Sequence, residues 1–139
     1  MNEIVLRAHK VSKGKAAGEA LVSKSPVSFL GGINPETGFV VEKGHEIEGQ
    51  NVAGKILVFP VGKGSTAGSF QVYELACQKN APRAMINLRA DPVVAIGAII
   101  SNIPMVDQLE RNPLEMIKTG DFVEVDADQG TVKIRPRSA

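Results

Sequence analysis

The sequence predicts an α/β fold in one compact domain, residues 1–139, with a β-rich layer. Three observations predict it. Short runs of apolar and β-branched residues dominate both ends of the chain, strand and helix patterns alternate in the middle, and the last quarter closes in a hairpin. No internal repeat, low-complexity segment or long linker divides the chain.

Taken in order, Glu3 to Ala8 reads as the first strand. The basic stretch "KVSKGKAAG" follows as a turn that leaves Lys10, Lys13 and Lys15 in solvent, and "EALVSK" is a short second strand. Pro26, Gly31-Gly32 and Pro35 break the next segment into extended pieces and turns, among which Phe39 to Val41 is the best strand. "EGQNVAG" turns into a strand over Lys55 to Val61. From Thr66 to Gln78, Phe70, Val72, Tyr73, Leu75 and Ala76 recur at spacings that suit a helix packed on a sheet.

"PRAMINL" reads as a buried strand. "ADPVVAIGAIISN" reads as a second helix, with Asp91 as N-cap and Pro92 at the first helical position, where no N–H is needed. Val93, Ile96, Gly97 and Ile100 would share one face of it, and Gly97 would let that face approach another backbone closely. "MVDQL" is a further short strand. The hairpin alternates Phe122, Val123 and Val125, turns at Asp128-Gln129-Gly130, and returns through Val132 and Ile134.

Composition excludes several classes of function. Apolar residues are 43% and charged residues 22% of the chain, enough to fill one core. A formal net charge of +1 argues against an extended nucleic-acid surface. No Trp, one Tyr and five Phe leave little for stacking on bases. The single cysteine, Cys77, permits no internal disulfide and no cysteine-rich metal site, which suits a reducing cytoplasm. The N-terminus lacks the pattern of a secretory signal, and Val93 to Ile100 is too short for the roughly 20 residues that span a bilayer. A soluble, cytoplasmic protein is expected.

The chemistry concentrates at "GKGST", Gly62 to Thr66, where a strand hands over to a helix. A strand-to-helix turn exposes the free N–H groups of the first helical turn. Glycines let those groups converge, and the helix dipole favours negative charge there. Such a turn can cradle a carboxylate, a phosphate or a developing oxyanion. It is not a nucleotide-hydrolysing loop, because Gly64 separates Lys63 from the hydroxyls and residue 57 is Leu57 rather than glycine. The plainer reading is that Ser65 or Thr66 caps the helix. Capping needs only one hydroxyl, however, and does not need Gly-Lys-Gly before it.

Other candidates are weaker. His9 and His45 fall in no spacing that suggests a metal site or a triad, so structural or surface roles are expected. Cys77 reads as a small packed side chain. Asp91 is most simply a cap. Nothing in the spacing of Glu42, Glu46, Glu48 and Asp107 fixes a metal.

Several blocks in fixed order then give a family likeness. "SFLGGINPETGFV", "GKILVFPVGKGSTAGSFQVYELA", Ala81-Pro82 and "ADPVVAIGAIISNIPMVD", spanning roughly Gly18 to Asp107, resemble the small, swivel-domain subunit of the aconitase X family. The resemblance implies a swivelling β/β/α domain. It also implies a hydro-lyase whose active site is shared with a large subunit carrying an iron–sulfur cluster on its own cysteines. Its separately encoded small subunits point to mevalonate 5-phosphate and isoprenoid biosynthesis; other relatives dehydrate hydroxyprolines. The family's catalytic serine, in the Gly-Ser pair after the central strand, corresponds to Ser65 after Gly64. Many relatives have a run of serines there, whereas this chain has Ser65-Thr66-Ala67-Gly68-Ser69, which makes Ser69 a poorer candidate.

Lys63, Gly64 and Thr66 are then candidates for substrate binding. The expected partners are the large subunit and an anionic small molecule, with neither nucleic acid nor membrane. Swivelling domains elsewhere carry a phosphohistidine, and a non-catalytic carrier is the competing reading. The absence of histidine from the turn counts against it.

Overall fold

A computed structural model describes residues 3–137. Among these residues eight strands form a continuous sheet that folds back on itself: β1 (Ile4–Arg7), β2 (His9–Ser12), β3 (Lys15–Val22), β4 (Ile56–Val58), β5 (Ala84–Ile86), β6 (Met105–Asp107), β7 (Phe122–Asp126) and β8 (Thr131–Arg135). Three helices intervene: α1 (Gly68–Cys77), α2 (Pro92–Ile100) and the single turn α3 (Pro113–Met116). The strand order is β1-β8-β7-β3-β4-β5-β6-β2.

β3 is the hinge of this order. Its first part, Lys15 to Glu19, runs antiparallel to β7, and its last part, Ala20 to Val22, runs parallel to β4. β1, β8 and β7 thus make an antiparallel wing, while β4, β5 and β6 make a parallel one. β2 pairs antiparallel with the outer edge of β6.

Alternation along the short parallel strands sorts the core into two layers. Leu21, Leu57, Met85 and Met105 pack under α1 and α2 with Val72, Leu75, Val94 and Ala98. Their neighbours Ala20, Ile56, Val58, Ala84, Ile86 and Val106 face the antiparallel wing and meet Val123, Val125, Val132 and Ile134. The result is β/β/α layering, as expected. Full burial of each large apolar side chain stabilises the fold by roughly 1.5–3 kcal/mol, and Ile56, Leu57, Met85 and Ile86 are all at zero exposure.

Four expectations need correction. The basic stretch leaves Lys10, Lys13 and Lys15 exposed as expected but is mostly not a turn: Lys10 lies in β2 and Lys15 opens β3, so only Lys13 and Gly14 remain between them. Phe39 to Val41 is no strand, only the isolated bridges Ile33–Val40 and Phe39–Asn51. Glycines at positive φ (31, 38, 44, 49 and 54) interrupt any ladder there, although Val27, Phe29, Ile33, Val40 and Val52 still enter the core. On α2 the buried residues are Val94, Gly97 and Ala98, while Ile96, Ile99 and Ile100 are exposed. This helix is apolar on every side, so periodicity could not give its phase. Cys77 is exposed on the outer stripe of α1 with Phe70 and Tyr73.

Candidate active site on the carboxyl edge of the parallel strands

β3, β4, β5 and β6 all point their carboxyl ends to one edge, where α/β proteins commonly build their sites. The glycine turn lies on that edge. After β4, Phe59 continues into the core, and Pro60 and Val61 lead out to Gly62. Lys63, Gly64, Ser65 and Thr66 follow, all exposed, before α1 begins at Gly68.

Backbone hydrogen bonds hold the turn on one side. Val27 N–H donates to the Val61 carbonyl (3.2 Å), and Lys63 N–H donates to the Val27 carbonyl (2.9 Å). On the other side Gly62 N–H donates to Asp91 Oδ1 (2.8 Å), while Val94 N–H donates to Asp91 Oδ2 (3.1 Å). Asp91 is the N-cap of α2, as its position before Pro92 suggests, and its second oxygen reaches across to the turn. Nothing in the sequence signals that second bond, which joins positions 29 residues apart. Gly62 must be glycine, because a Cβ there would meet Val94 Cγ2 at 2.4 Å and Asp91 Oδ1 at 2.8 Å. Gly64 has φ +97°, and its Cβ would lie 2.9 Å from Ser28 Oγ.

The four candidate residues have different surroundings. Neither Ser65 nor Thr66 caps α1: the N-cap is Ala67, whose side chain makes no capping bond. Ser65 Oγ instead accepts a hydrogen bond from Ala67 N–H (3.1 Å), and the Ser65 carbonyl accepts one from Gly68 N–H (2.9 Å). Lys63 Nζ lies 2.7 Å from Glu42 Oε2. Lys63 and Gly64 line an open cleft of about 390 Å³ with Ser28, Leu30, Gly31, Gly32 and Glu42. Ser65 and Thr66 do not line it. A larger cleft, about 490 Å³, lies between the end of β3 and α3, yet it contains no residue of the turn. The smaller cleft is the better candidate because Lys63 and Gly64 of the turn line it.

Three other polar side chains are tied to the fold by hydrogen bonds. Ser69, buried in α1, donates its hydroxyl to the Val93 carbonyl and ties the two helices together. His45 donates from Nε2 to the Pro26 carbonyl (2.8 Å) and accepts at Nδ1 from Ile47 N–H (3.2 Å). His9 Nδ1 lies 2.8 Å from Asp107 Oδ1. Among the described residues, no three His, Cys, Asp or Glu side chains cluster to hold a metal. No helix among them is long and apolar enough to cross a membrane.

The family model for the aconitase X swivel domain matches residues 5–134. The chain belongs to the aconitase X swivel-domain family. A phosphomevalonate dehydratase small subunit of Methanocella arvoryzae is 55% identical over 93% of this chain and 98% of its own length. One from Thermococcus kodakarensis is 54% identical over 93% of this chain and 95% of its own. Among solved structures, the crystal structure of Thermococcus kodakaraensis aconitase X in its holo-form superposes with a TM-score of 0.90. It shows 51% identity and the match covers 96% of this chain and 99% of that one. A solution NMR structure of a UPF0107 protein superposes at 0.88 with 45% identity, covering 96% and 100% of the two chains. The layered sheet described above is the aconitase X swivel fold, as the resemblance implied.

Proposed function

We propose that this chain is the small subunit of a phosphomevalonate dehydratase, a hydro-lyase that removes water from mevalonate 5-phosphate in isoprenoid biosynthesis, and that Ser65 is its base. The whole of 1–139 serves as one swivelling domain, in the cytoplasm, closing on a large subunit. The names of the relatives support the substrate and the larger partner. One contact supports the serine: its Oγ accepts the Ala67 N–H at 3.1 Å, at the head of α1 on the exposed carboxyl edge.

Dehydration of a 3-hydroxy acid breaks a C–H bond next to the carboxylate and the C–O bond beside it. The C–H electron pair becomes the new double bond, the proton passes to the base, and the hydroxyl departs as water once protonated. The product is an anhydromevalonate phosphate. A serine is a poor base unless negative charge on Oγ is stabilised. A backbone N–H aimed at that oxygen, next to the positive end of a ten-residue helix, provides a fixed field of this kind.

Lys63, Gly64 and Thr66 bind the anionic substrate in this reading. Lys63 and Gly64 already share a cleft, and an arriving anion competes with Glu42 for the Lys63 ammonium. This chain's residues do not fit an iron–sulfur cluster: its one cysteine is exposed on α1, away from any cluster of ligands among the described residues. The cluster belongs on the large subunit, and so does assistance to the departing hydroxyl.

The test is Ser65→Ala in the complex co-expressed with the large subunit, compared with Thr66→Ala, which as a binding-residue variant should raise KM with a smaller change in kcat. Because Ala67 is the cap, the Ser65 change should alter stability by less than about 1 kcal/mol. It should lower kcat by roughly 10²–10⁴-fold while the complex still assembles and binds substrate. Near-normal kcat in a folded complex means that Ser65 is not the base.

A further inference from the structure

We infer that Asp91 is a positioning residue for Ser65, in addition to being the cap of α2. This rests on the reading of Ser65 as the base. A cap needs one oxygen, and Asp91 gives Oδ2 to Val94 N–H for that purpose. Its other oxygen takes the Gly62 N–H, the first amide of the catalytic turn. Contact is close enough that position 62 has no room for a side chain.

The anchor is itself anchored. Asp107, only 3% exposed at the end of β6, accepts the Ala90 N–H on Oδ2 (2.8 Å), and its Oδ1 lies 2.8 Å from His9 Nδ1. Two carboxylates therefore step across the edge, from β6 to the segment before α2, and from there to the turn. Val27 holds the same turn from the β3 side. With both sides fixed, the four residues from Gly62 to Ser65 have little freedom to drift. A base misplaced by about 1 Å can lose on the order of 10²-fold in rate.

Substitutions at Asp91 separate the two roles. Asp91→Ser keeps a good N-cap for α2 but has one short oxygen and cannot also reach Gly62. In the complex with the large subunit it should leave the melting temperature and KM nearly unchanged and lower kcat by about 10–100-fold. Asp91→Asn preserves the shape and one acceptor oxygen, and should lower kcat in the same direction; it carries the comparison if the serine variant fails to assemble. Combined with Ser65→Ala, Asp91→Ser should add less than about a twofold further loss, because two residues acting as a unit are not additive. Normal kcat in a folded Asp91 variant overturns the inference. So does a full multiplicative loss in the double variant, which would place Asp91's effect elsewhere. If Ser65→Ala alone turns over normally, the serine-base reading fails in that arm and takes this inference with it.

Discussion

Gly97 of α2 presses on Val72 of α1 so closely that a Cβ at position 97 would lie 2.9 Å from the Val72 Cβ and 3.3 Å from the Ser69 Cα. Ordinarily Gly→Ala within a helix gains up to about 1 kcal/mol. Here the added methyl meets a branch point and a backbone atom, neither of which can swing away. Overpacking of this kind costs about 1–3 kcal/mol and outweighs the propensity gain. Gly97→Ala should therefore lower stability, read as a shifted midpoint in urea at unchanged m-value. An unchanged or raised midpoint would show that the helices separate freely.

Gly64→Ala tests the shape of the turn rather than its hydroxyls. At φ +97° an alanine is strained by about 1–3 kcal/mol, and its methyl meets Ser28 Oγ. Loss of stability should come with a drop in kcat, although Ser65 is untouched. Full activity in this variant would mean that the turn reshapes without consequence.

Lys63→Met removes a charged donor from the cleft but keeps the aliphatic stem. If Lys63 holds substrate, KM should rise by about tenfold, the worth of one charge-assisted hydrogen bond, with a smaller change in kcat. Steady-state kinetics across substrate concentration read both parameters. An unaltered KM would leave Lys63 as Glu42's partner only.

Glu46 gives a pH signature away from the site. The Lys24 N–H bonded to its carboxylate, with help from the Ser25 hydroxyl, holds its pKa below the ordinary 4.5, against a smaller opposing effect of burial. A depressed carboxylate pKa stabilises the fold above the unfolded value, and that stabilisation is lost as pH falls through the folded one. Glu46→Gln should thus weaken the protein at neutral pH and match the wild type progressively below pH 4.5. Glu46 is exposed, so solvent screening keeps the effect under about 1 kcal/mol. Chemical denaturation at stepped pH measures it.

The isolated chain should fold, as a relative 45% identical was solved in solution, and should show no dehydratase activity alone. Iron-dependent turnover should appear on assembly with the large subunit, and amides from Gly62 to Ser69 should gain protection from hydrogen exchange. Turnover by the purified small chain without iron would refute the shared site. Unchanged protection would place the partner elsewhere.

The layering was legible because short strands alternate apolar residues and turns flank them, and the Asp91–Pro92 pair marked the start of α2 correctly. The long segment between β3 and β4 was not, since its conformation comes from glycines at positive φ rather than from periodicity. The phase of α2 was hidden by its uniform apolarity. At the site, Gly-Lys-Gly-Ser-Thr stood out in the sequence, whereas the cleft that Lys63 and Gly64 form with the distant Ser28–Gly32 segment did not. The Gly62–Asp91 and Lys63–Glu42 contacts join distant parts of the chain, and no local pattern records them.

β3 is shared between both wings, and this bears on how the molecule is made. Its second half can pair with β4 once the first 58 residues exist, but its first half has no neighbour until β7 is synthesised. Lys15 meets Asp126, and Leu6 meets Val132. Such distant pairings require closing very large loops, so folding should be slow for a chain of this size and should complete only after synthesis of the last quarter. Until then, Ile56, Val58, Ala84 and Ile86 remain uncovered on one face. The nascent chain is most prone to aggregation during that interval, and its final hairpin acts as the latch that ends it.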